Sequence, residues 1–371
     1  MSDSSEKPRL IIVRRVGEGP GGAAKTLRRF ESLFADEWTT EILSAGGADG
    51  RVSGTRGPSW WRNMRFAQTA NAELPDARAD LVFTLERGVR ADLYRTADGI
   101  HARWLEIAYQ NPLKRLANPL HWILPRLERN TFHAARRIVC IGRVIANDVR
   151  RFYPECANKI RIIPIGVDHA RYYPHPDGRA AAKKALKIPT NQRLFVFVGT
   201  GWKIKNLCSA LETFSEYRCH GDTDARLLVI GKGKPSRYHR LIQKLGLTQH
   251  VEFLGVISNV ADYLRSADAM LMPSLYESFG NAGIEAIACG CPLVTNETVG
   301  ACELVDSGRT GLVHPLGFDP KDAGLALHNL MKSSPSPVEV AAVATERTVE
   351  NEKRMYLDLF REILAEKNAA R

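Results

Sequence analysis

The chain has 371 residues, a formal net charge of +11 and 44% hydrophobic residues. This is about twice the length of an ordinary domain, and the composition is that of a globular protein. We therefore expect two folded domains rather than a disordered or fibrous chain. The polar start MSDSSEKPR and the lack of any apolar run of about 18 residues predict a soluble, cytoplasmic protein without signal peptide or spanning helix.

Positive charge is concentrated in the first part of the chain. Residues 1–165 hold 27 Lys+Arg against 18 Asp+Glu, whereas the remainder holds 25 against 23. A basic domain without a basic tail predicts an anionic partner, which could be a nucleic acid, a phosphorylated glycolipid or an acidic membrane leaflet. Charge alone does not choose among the three.

Apolar runs alternate with helical stretches along the whole chain. The first unit is the strand RLIIVRRV, the glycine-rich loop GEGPGGAA and the helix KTLRRFESLF. Further strand candidates are TTEILSA, DLVFTL, RRIVCIG and KIRIIPIG, then RLFVFVGT, ARLLVIGKG, HVEFLG, ADAMLMPS and CPLVTN. This alternation predicts an α/β protein with parallel sheets covered by helices.

A segment rich in proline and charge, PHPDGRAAAKKALKIPTNQ, interrupts the alternation. We predict a first Rossmann-like domain over residues 1–170, a second over 171–350 and a C-terminal helix over 351–371. Apolar residues at helical spacing predict that this last helix packs on a domain surface. They are Met355, Leu357, Phe360 and Leu364.

The first loop has the G-x-G-x-x-G spacing, at Gly17, Gly19 and Gly22. Backbone N–H groups of such a loop can hold a phosphate, so a nicotinamide oxidoreductase must be considered. That reading needs an acid at the end of the second strand, and TTEILSA ends without one. The alternatives are a plain tight turn and a loop, including Gly21 and Gly22, that lets an acceptor substrate approach.

The triplet DTD places Asp222 and Asp224 at the spacing by which some sugar-transferring enzymes hold a divalent metal. In those enzymes the acids follow an apolar strand, whereas this triplet precedes ARLLVIG in a polar segment. We predict a solvated loop and no metal site.

The densest signal is MPSLYESFGNAGIEAIACGCPLVTN, a strand end, a loop, a helix, a turn and another strand. Glu277 lies in the loop and Glu285 on the helix, so both can reach the mouth of a parallel sheet, where ligands bind. Glycines beside them leave backbone donors accessible.

ESFGNAGIE resembles the signature of family 4 of the retaining GT-B glycosyltransferases, in which two Glu residues are separated by seven positions. IPIGVDHARYYP, VGTGWKIKN and GACELVDSGRTGLV resemble further family segments in the same order, so the resemblance covers most of residues 160–315. It implies two Rossmann-like, doubly wound domains facing a central cleft. It also implies an acceptor in the first domain, a nucleotide-sugar donor in the second, and no metal or other cofactor.

The resemblance implies roles for individual residues of the second domain. Glu277 would contact the hydroxyls of the donor sugar, and Glu285 would accept hydrogen bonds from both ribose hydroxyls. Lys205 would neutralise the diphosphate, a charge-assisted contact worth about 1.5–3 kcal/mol. The loop whose backbone amides approach the sugar and phosphate is Phe279, Gly280 and Asn281.

Two departures from the family pattern concern the loop before the first helix of the second domain. Thr200 and Ile204 occupy positions where relatives place an arginine, and we assign its task to Lys203. Asn206 replaces the glycine that usually follows the lysine, which puts the shape of this loop in doubt. A binding or regulatory protein that kept the fold and lost catalysis is therefore an alternative.

In the first half, ADLYRTADGIHARWLE and RLERNTFHAARRIVCIG resemble the bacterial lipopolysaccharide core glucosyltransferases that act on heptose. That resemblance implies that Asp98 orients or deprotonates the acceptor hydroxyl, with His101 as a second candidate. The alternative is that Asp98 caps the helix beginning near Gly99.

Residues 111–129 interleave leucines with basic residues and Trp122, which suits attachment to an anionic inner-membrane leaflet. The alternative is that the leucines fill the core, since Pro112, Pro119 and Pro125 should break a long helix.

We therefore predict a retaining, metal-independent hexosyltransferase. We expect UDP-glucose as donor and a phosphorylated glycolipid or core oligosaccharide as acceptor, in lipopolysaccharide core or other cell-envelope glycan synthesis. No aromatic stacking motif or helix-turn-helix pattern supports a nucleic-acid partner.

Overall fold

A computed structural model of the chain divides into two compact units, residues 1–164 with 350–371, and residues 165–349. The division lies six positions before the expected one at 170, and the C-terminal segment belongs with the first unit. The structure describes residues 7–15, 22–45, 52, 56–74, 78–96, 98–109 and 111–369, without the side chains of 22–25, 112 and 114.

In the described part of the first unit, six parallel strands form one sheet in the order β2-β1-β3-β4-β5-β6. The strands are β1 Arg9–Val13, β2 Thr39–Leu43, β3 Leu81–Thr84, β4 Leu93–Arg95, β5 Arg137–Cys140 and β6 Ile160–Ile162. The helices are α1 Gly22–Phe34, α2 Ser59–Glu73, α3 His101–Ala108, α4 Pro112–Leu116, α5 Leu120–Ala134 and α6 Arg143–Phe152. The central strands are short apolar runs because helices cover both faces of a parallel sheet.

The second unit also has six parallel strands, in the order β12-β11-β10-β7-β8-β9. The strands are β7 Leu194–Val198, β8 Arg226–Ile230, β9 Val251–Gly255, β10 Ala269–Met272, β11 Leu293–Asn296 and β12 Gly311–His314. The helices are α7 Gly178–Ala185, α8 Leu207–Cys219, α9 His239–Lys244, α10 Val260–Ser266, α11 Asn281–Ala288, α12 Pro320–Ser333 and α13 Pro337–Ala342. Both units are Rossmann-like domains, as predicted.

The last helix, α14, spans Val349–Ala369 and packs on the first unit. The ring of Tyr356 lies edge-on to Phe30, with centroids 5.4 Å apart, and the ring of Phe360 contacts Phe34 at 4.9 Å. The predicted apolar face is only partly right, because Met355 is 37% exposed. The buried positions are Glu352, Tyr356, Leu359, Phe360 and Ile363.

Each strand candidate of the sequence forms a strand, and two further strands were not predicted. β4 has only three residues and contains the buried Arg95, whose guanidinium lies over the ring of Phe30 at 5.2 Å. Such a strand lacks the apolar run on which the prediction relied. The proline argument was also wrong for α5, which continues for 15 residues through Pro125.

Candidate active site

The strand order of the second domain places a topological switch point between neighbouring strands β7 and β10. The chain leaves β7 toward β8 on one side, and it leaves β10 toward β11 on the other. Loops 199–206 and 273–280 therefore emerge side by side at the carboxyl edge of the sheet, the usual place for a ligand in such a fold. A backbone hydrogen bond of 2.9 Å from Leu275 N to Ile204 O joins the two loops.

An ion pair between the two loops lies at this switch point. The ammonium Nζ of Lys205 is 2.5 Å from the carboxylate Oε1 of Glu277, and 18% of each side chain is exposed. Both residues were predicted at the donor site from sequence, Lys205 toward the diphosphate and Glu277 toward the sugar. The structure brings them into direct contact.

Backbone geometry explains how the β7 loop presents Lys205. A Cβ on Gly199 would lie 2.9 Å from Cε of Lys205, so the glycine leaves room for the lysine stem. Asn206, the N-cap of α8, has φ +55° and adopts the left-handed conformation. Asparagine tolerates this region better than most residues, so the replacement of glycine preserves the turn. Lys203, which we predicted to take the place of the arginine found in relatives, is exposed in the same loop.

The β10 loop is tied to the loop that follows β11. Glu277 N donates to Thr298 O at 3.2 Å, and Gly300 N donates to Glu277 O at 3.2 Å. A Cβ on Gly300 would lie 2.4 Å from Ser278 O, so the close approach of the two loops requires glycine there. These contacts fix the backbone on both sides of the Glu277 carboxylate.

Helix α11 begins directly after this loop, at Asn281, whose side chain is exposed. Gly280 precedes it with φ +88°, and a Cβ there would lie 2.3 Å from Cε of Met272. Phe279 is fully buried beneath the guanidinium of Arg347, 5.5 Å from its ring centroid. The side chain of Phe279 thus anchors the loop, and the first N–H groups of α11, which lack intrahelical acceptors, begin at the site.

Glu285 lies in the second turn of α11 and accepts a hydrogen bond from the hydroxyl of Tyr172. Burial, together with this carboxylate, raises the pKa of Tyr172 to about 12. Tyr172 belongs to the segment IPIGVDHARYYP, which carried the family resemblance, but no role was predicted for it. The structure places Tyr172 against Glu285, the residue predicted to bind the ribose hydroxyls.

In the first domain, charged residues gather where β1, β3 and β4 end. Arg14 Nη2 lies 3.1 Å from Asp98 Oδ1, and Arg14 Nε lies 3.4 Å from Glu86 Oε1. The sheet order makes β1 and β3 the switch point of this domain. Asp98 was predicted from the sequence, whereas Glu86 and Arg14 were missed. Arg14 directly follows β1, and Glu86 lies two residues beyond the end of β3.

The two carboxyl groups have opposite pKa shifts. Burial raises the pKa of Glu86, and Asp98 adds to this against the pull of Arg14. For Asp98, whose side chain is partly enclosed by protein, desolvation would raise the pKa, but Arg14 and Arg87 outweigh it and hold the pKa below its usual value. Asp98 is therefore a carboxylate at neutral pH with 49% of its side chain exposed, better suited to orient a hydroxyl than to remove its proton. It does not cap α3, whose N-cap is Ile100.

His101 lies in a buried network behind Asp98. Its Nε2 is 3.2 Å from Nδ1 of His121, and its backbone N–H donates to Glu128. Burial, with Arg87 and His121 nearby, lowers the pKa of His101 to about 3. The residue is 8% exposed and neutral at physiological pH, which favours a structural role over contact with an acceptor.

Some sequence predictions concern residues that the structure places elsewhere or does not describe. Gly17, Gly19 and Gly21 lie outside the described residues, and Gly22 is the first residue of α1. Asp222 accepts a hydrogen bond from the hydroxyl of Tyr217. Among the described residues, the one cluster with metal-ligating side chains is His133, Glu155 and Cys156 in the first domain.

Comparison with known proteins gives the family. The model for Glycosyltransferase Family 4 matches residues 28–171, and the model for Glycosyl transferases group 1 matches residues 178–347. The chain belongs to the group 1 glycosyltransferases. These two matches confirm the family resemblance from which the site residues of this glycosyltransferase were predicted.

Curated relatives of this glycosyltransferase include two kinds of enzyme. The D-inositol 3-phosphate glycosyltransferase of Streptomyces bingchenggensis is 31% identical over 217 residues, 55% of this chain and 47% of the relative. The chain thus spans about half the length of that relative. The lipopolysaccharide glucosyltransferase WaaG of Escherichia coli K12 is 23% identical over 279 residues, 74% of each chain.

Solved structures show the same fold. The crystal structure of WaaG, a glycosyltransferase involved in lipopolysaccharide biosynthesis, has a TM-score of 0.80 at 20% identity, over 95% of this chain and 99% of WaaG. Anabaena HepE in complex with UDP and glucose has a TM-score of 0.67 at 17% identity, over 96% of this chain and all of HepE. Within the described residues, every helix of this glycosyltransferase is too short or too polar to cross a bilayer.

Proposed function

We propose that this glycosyltransferase moves glucose from UDP-glucose to a phosphorylated glycolipid or core-oligosaccharide acceptor, with retention of configuration and without a metal. The Lys205–Glu277 ion pair at the switch point of the second domain carries the proposal. A cation that can meet a diphosphate lies next to a carboxylate that can meet sugar hydroxyls. The structural neighbour HepE, solved with UDP-glucose, and the relative WaaG, named a lipopolysaccharide glucosyltransferase, support this choice of donor and acceptor.

The second domain binds the donor in this proposal. The ammonium of Lys205 contacts the diphosphate, assisted by Lys203, and the N–H groups from Phe279 to Asn281 donate to sugar and phosphate oxygens. Glu277 accepts from the sugar hydroxyls. Glu285 accepts from the ribose hydroxyls while Tyr172 keeps its carboxylate in place.

The reaction is a substitution at the anomeric carbon. The acceptor oxygen attacks on the face from which UDP leaves, as the bond between the anomeric carbon and the phosphate oxygen breaks. The acceptor proton passes to the departing phosphate oxygen. Negative charge grows on the diphosphate during this step, so a contact with Lys205 that strengthens in the transition state accelerates it.

The first domain binds the acceptor in this proposal. The Asp98 carboxylate accepts a hydrogen bond from the attacking hydroxyl, and Arg14 holds Asp98 in its ionised form. Arg87 donates to Gly99 O at 2.6 Å and so fixes the loop that carries Asp98.

A glycolipid acceptor also requires access to a membrane surface. Leu113 is 72% exposed, Leu116 57% and Trp122 46%, so these residues do not fill the core, whereas Leu124 is buried. Together with the exposed Arg126 they form an apolar and basic surface suited to an anionic leaflet. We propose peripheral attachment through this surface, on the cytoplasmic face of the inner membrane.

Nucleotide-sugar hydrolysis and thermal unfolding test the donor assignment together. UDP and UDP-glucose should raise the melting temperature in the presence of a metal chelator, because a ligand bound to the native state stabilises it. UDP-glucose should also be hydrolysed slowly without acceptor. Stabilisation without hydrolysis or transfer would identify a non-catalytic binding protein, and stabilisation by NAD alone would overturn the proposal.

A further inference from the structure

A cavity of about 340 Å³ opens in the second domain at the edge of the sheet opposite the Lys205–Glu277 pair. Arg193 and Asp268, which directly precede β7 and β10, line it together with Arg179 and Lys183 of α7. Because the parallel strands share one direction, their amino ends are a full strand length away from the switch-point loops. The cavity is therefore separate from the proposed donor site.

Asp268 is the one carboxylate of this wall, and its acceptor capacity is largely used. Its Oδ2 accepts from Lys183 Nζ at 2.6 Å and from the backbone N–H of Leu194 at 2.8 Å. Its Oδ1 accepts from Arg193 Nη1 at 3.1 Å. Arg193 Nε also lies 4.0 Å from Asp222, so the remaining excess of positive charge centres on Arg179.

Arg179 has donors that remain unused. Its Nη1 is 3.7 Å from Asp268, beyond a hydrogen bond, and its Nε is buried without a hydrogen-bond partner among the described residues. Its Nη2 donates to Gly290 O at 3.1 Å. Because Nη1 of this guanidinium makes no hydrogen bond and 15% of the side chain is exposed, an anion in the cavity is the acceptor that its charge favours.

We propose that this cavity binds a phosphate group through the guanidinium of Arg179, with Arg193, the hydroxyl of Thr190 and the side-chain amide of Asn191 as further donors. Arginine is suited to phosphate because its planar fork donates two parallel charge-assisted hydrogen bonds. The volume also accommodates a small group esterified to the phosphate. Occupancy stabilises the domain near the end of α11, because Arg179 also holds Gly290, two residues past that helix.

Thermal unfolding in inorganic phosphate, compared with chloride at equal ionic strength, tests this site. Phosphate at several times its dissociation constant should raise the melting temperature by about 2–4 °C. Arg179→Gln should abolish the rise, because it removes the guanidinium that binds phosphate. Asp268 keeps its three hydrogen bonds in this variant, so the domain should stay folded. Lys184→Gln, an exposed position of the same helix with the same charge change, should keep it. Glycerol 3-phosphate in a parallel series distinguishes a monoester ligand from the free anion.

Two further variants separate this site from the donor site. Lys205→Gln should retain the response to phosphate, and loss of the response in this variant alone would place the anion at the donor site and overturn the proposal. An equal response in wild type and Arg179→Gln, or no response in wild type, would also overturn it. Should Arg179→Gln fail to fold, Asn191→Ala leaves the ion pairs intact and should weaken phosphate binding about twofold to tenfold.

Discussion

Neutralising Glu277 should separate nucleotide binding from turnover. In the free protein the Glu277 carboxylate is paired with Lys205 at 2.5 Å and partly cancels the charge that a diphosphate would meet. Glu277→Gln removes the negative charge and keeps the shape of the side chain. We expect tighter binding of UDP, which has no sugar to contact, and much slower transfer from UDP-glucose.

The magnitude follows from the geometry of the pair. A phosphate oxygen within about 3 Å of Lys205 Nζ lies about 5.5 Å from the Glu277 carboxylate. For effective dielectric constants between about 20, typical near a protein surface, and about 80, that of water, the repulsion is about 3 to 0.75 kcal/mol. The dissociation constant of UDP should therefore fall roughly fourfold to hundredfold in this variant. Lys205→Met instead removes a charge-assisted contact, and the dissociation constant should rise roughly tenfold to hundredfold.

Calorimetric titration with UDP and a transfer assay with UDP-glucose measure the two effects. Asp306→Asn, an exposed acid of the same domain, controls for the change in net charge. The double variant Glu277→Gln with Lys205→Met should bind UDP more tightly than Lys205→Met alone, because the Glu277 carboxylate repels the diphosphate whether or not Lys205 is present. Weaker UDP binding in Glu277→Gln, or unchanged turnover, would refute the reasoning.

Three further predictions concern the residues around the site. Tyr172→Phe should weaken UDP roughly threefold to tenfold and barely affect 2′,3′-dideoxy-UDP, because Tyr172 acts through Glu285; equal losses in titrations with both ligands would contradict this. Gly280→Ala should lower the free energy of unfolding by about 2–3 kcal/mol, since φ is +88° and a Cβ would strike a neighbouring side chain; an unchanged urea midpoint would show that this strain is absent. His101 has a lowered pKa of about 3, so the unfolded chain binds its proton first and stability falls as the pH drops below about 6.5. Between pH 6.5 and 5 the wild type should lose up to about 2 kcal/mol more than His101→Asn in urea unfolding, and parallel losses would place the titration elsewhere.

The apolar and basic surface formed by Leu113, Leu116, Trp122 and Arg126 gives one prediction apart from catalysis. Leu113→Ser with Leu116→Ser should reduce sedimentation with vesicles that contain anionic lipid, because both side chains are more than half exposed. Transfer to a water-soluble acceptor should be unchanged. Undiminished binding to vesicles would show that this surface does not contact the membrane.

The sequence by itself determined the class of fold and predicted which residues would bind the donor. Short apolar runs separated by helical stretches require parallel sheets with covered faces, because only such strands are buried on both sides. Each run formed a strand, and the two glutamates with Lys205 were predicted from motifs that lie within 13 residues of the end of a strand. Motifs of this kind report local geometry, which the sequence encodes directly.

The tertiary structure decided which charged groups meet. Lys205 and Glu277 are 72 positions apart, and Arg14 and Asp98 are 84 apart. Such contacts arise where non-consecutive strands become neighbours in a sheet, and no local periodicity records that order. The same holds for β4, which is too short to carry an apolar pattern. It also holds for His101, which the resemblance offered as a second candidate although its partners lie in the interior. Burial and pairing set the charge of each group, so its chemistry became readable only once its neighbours were known.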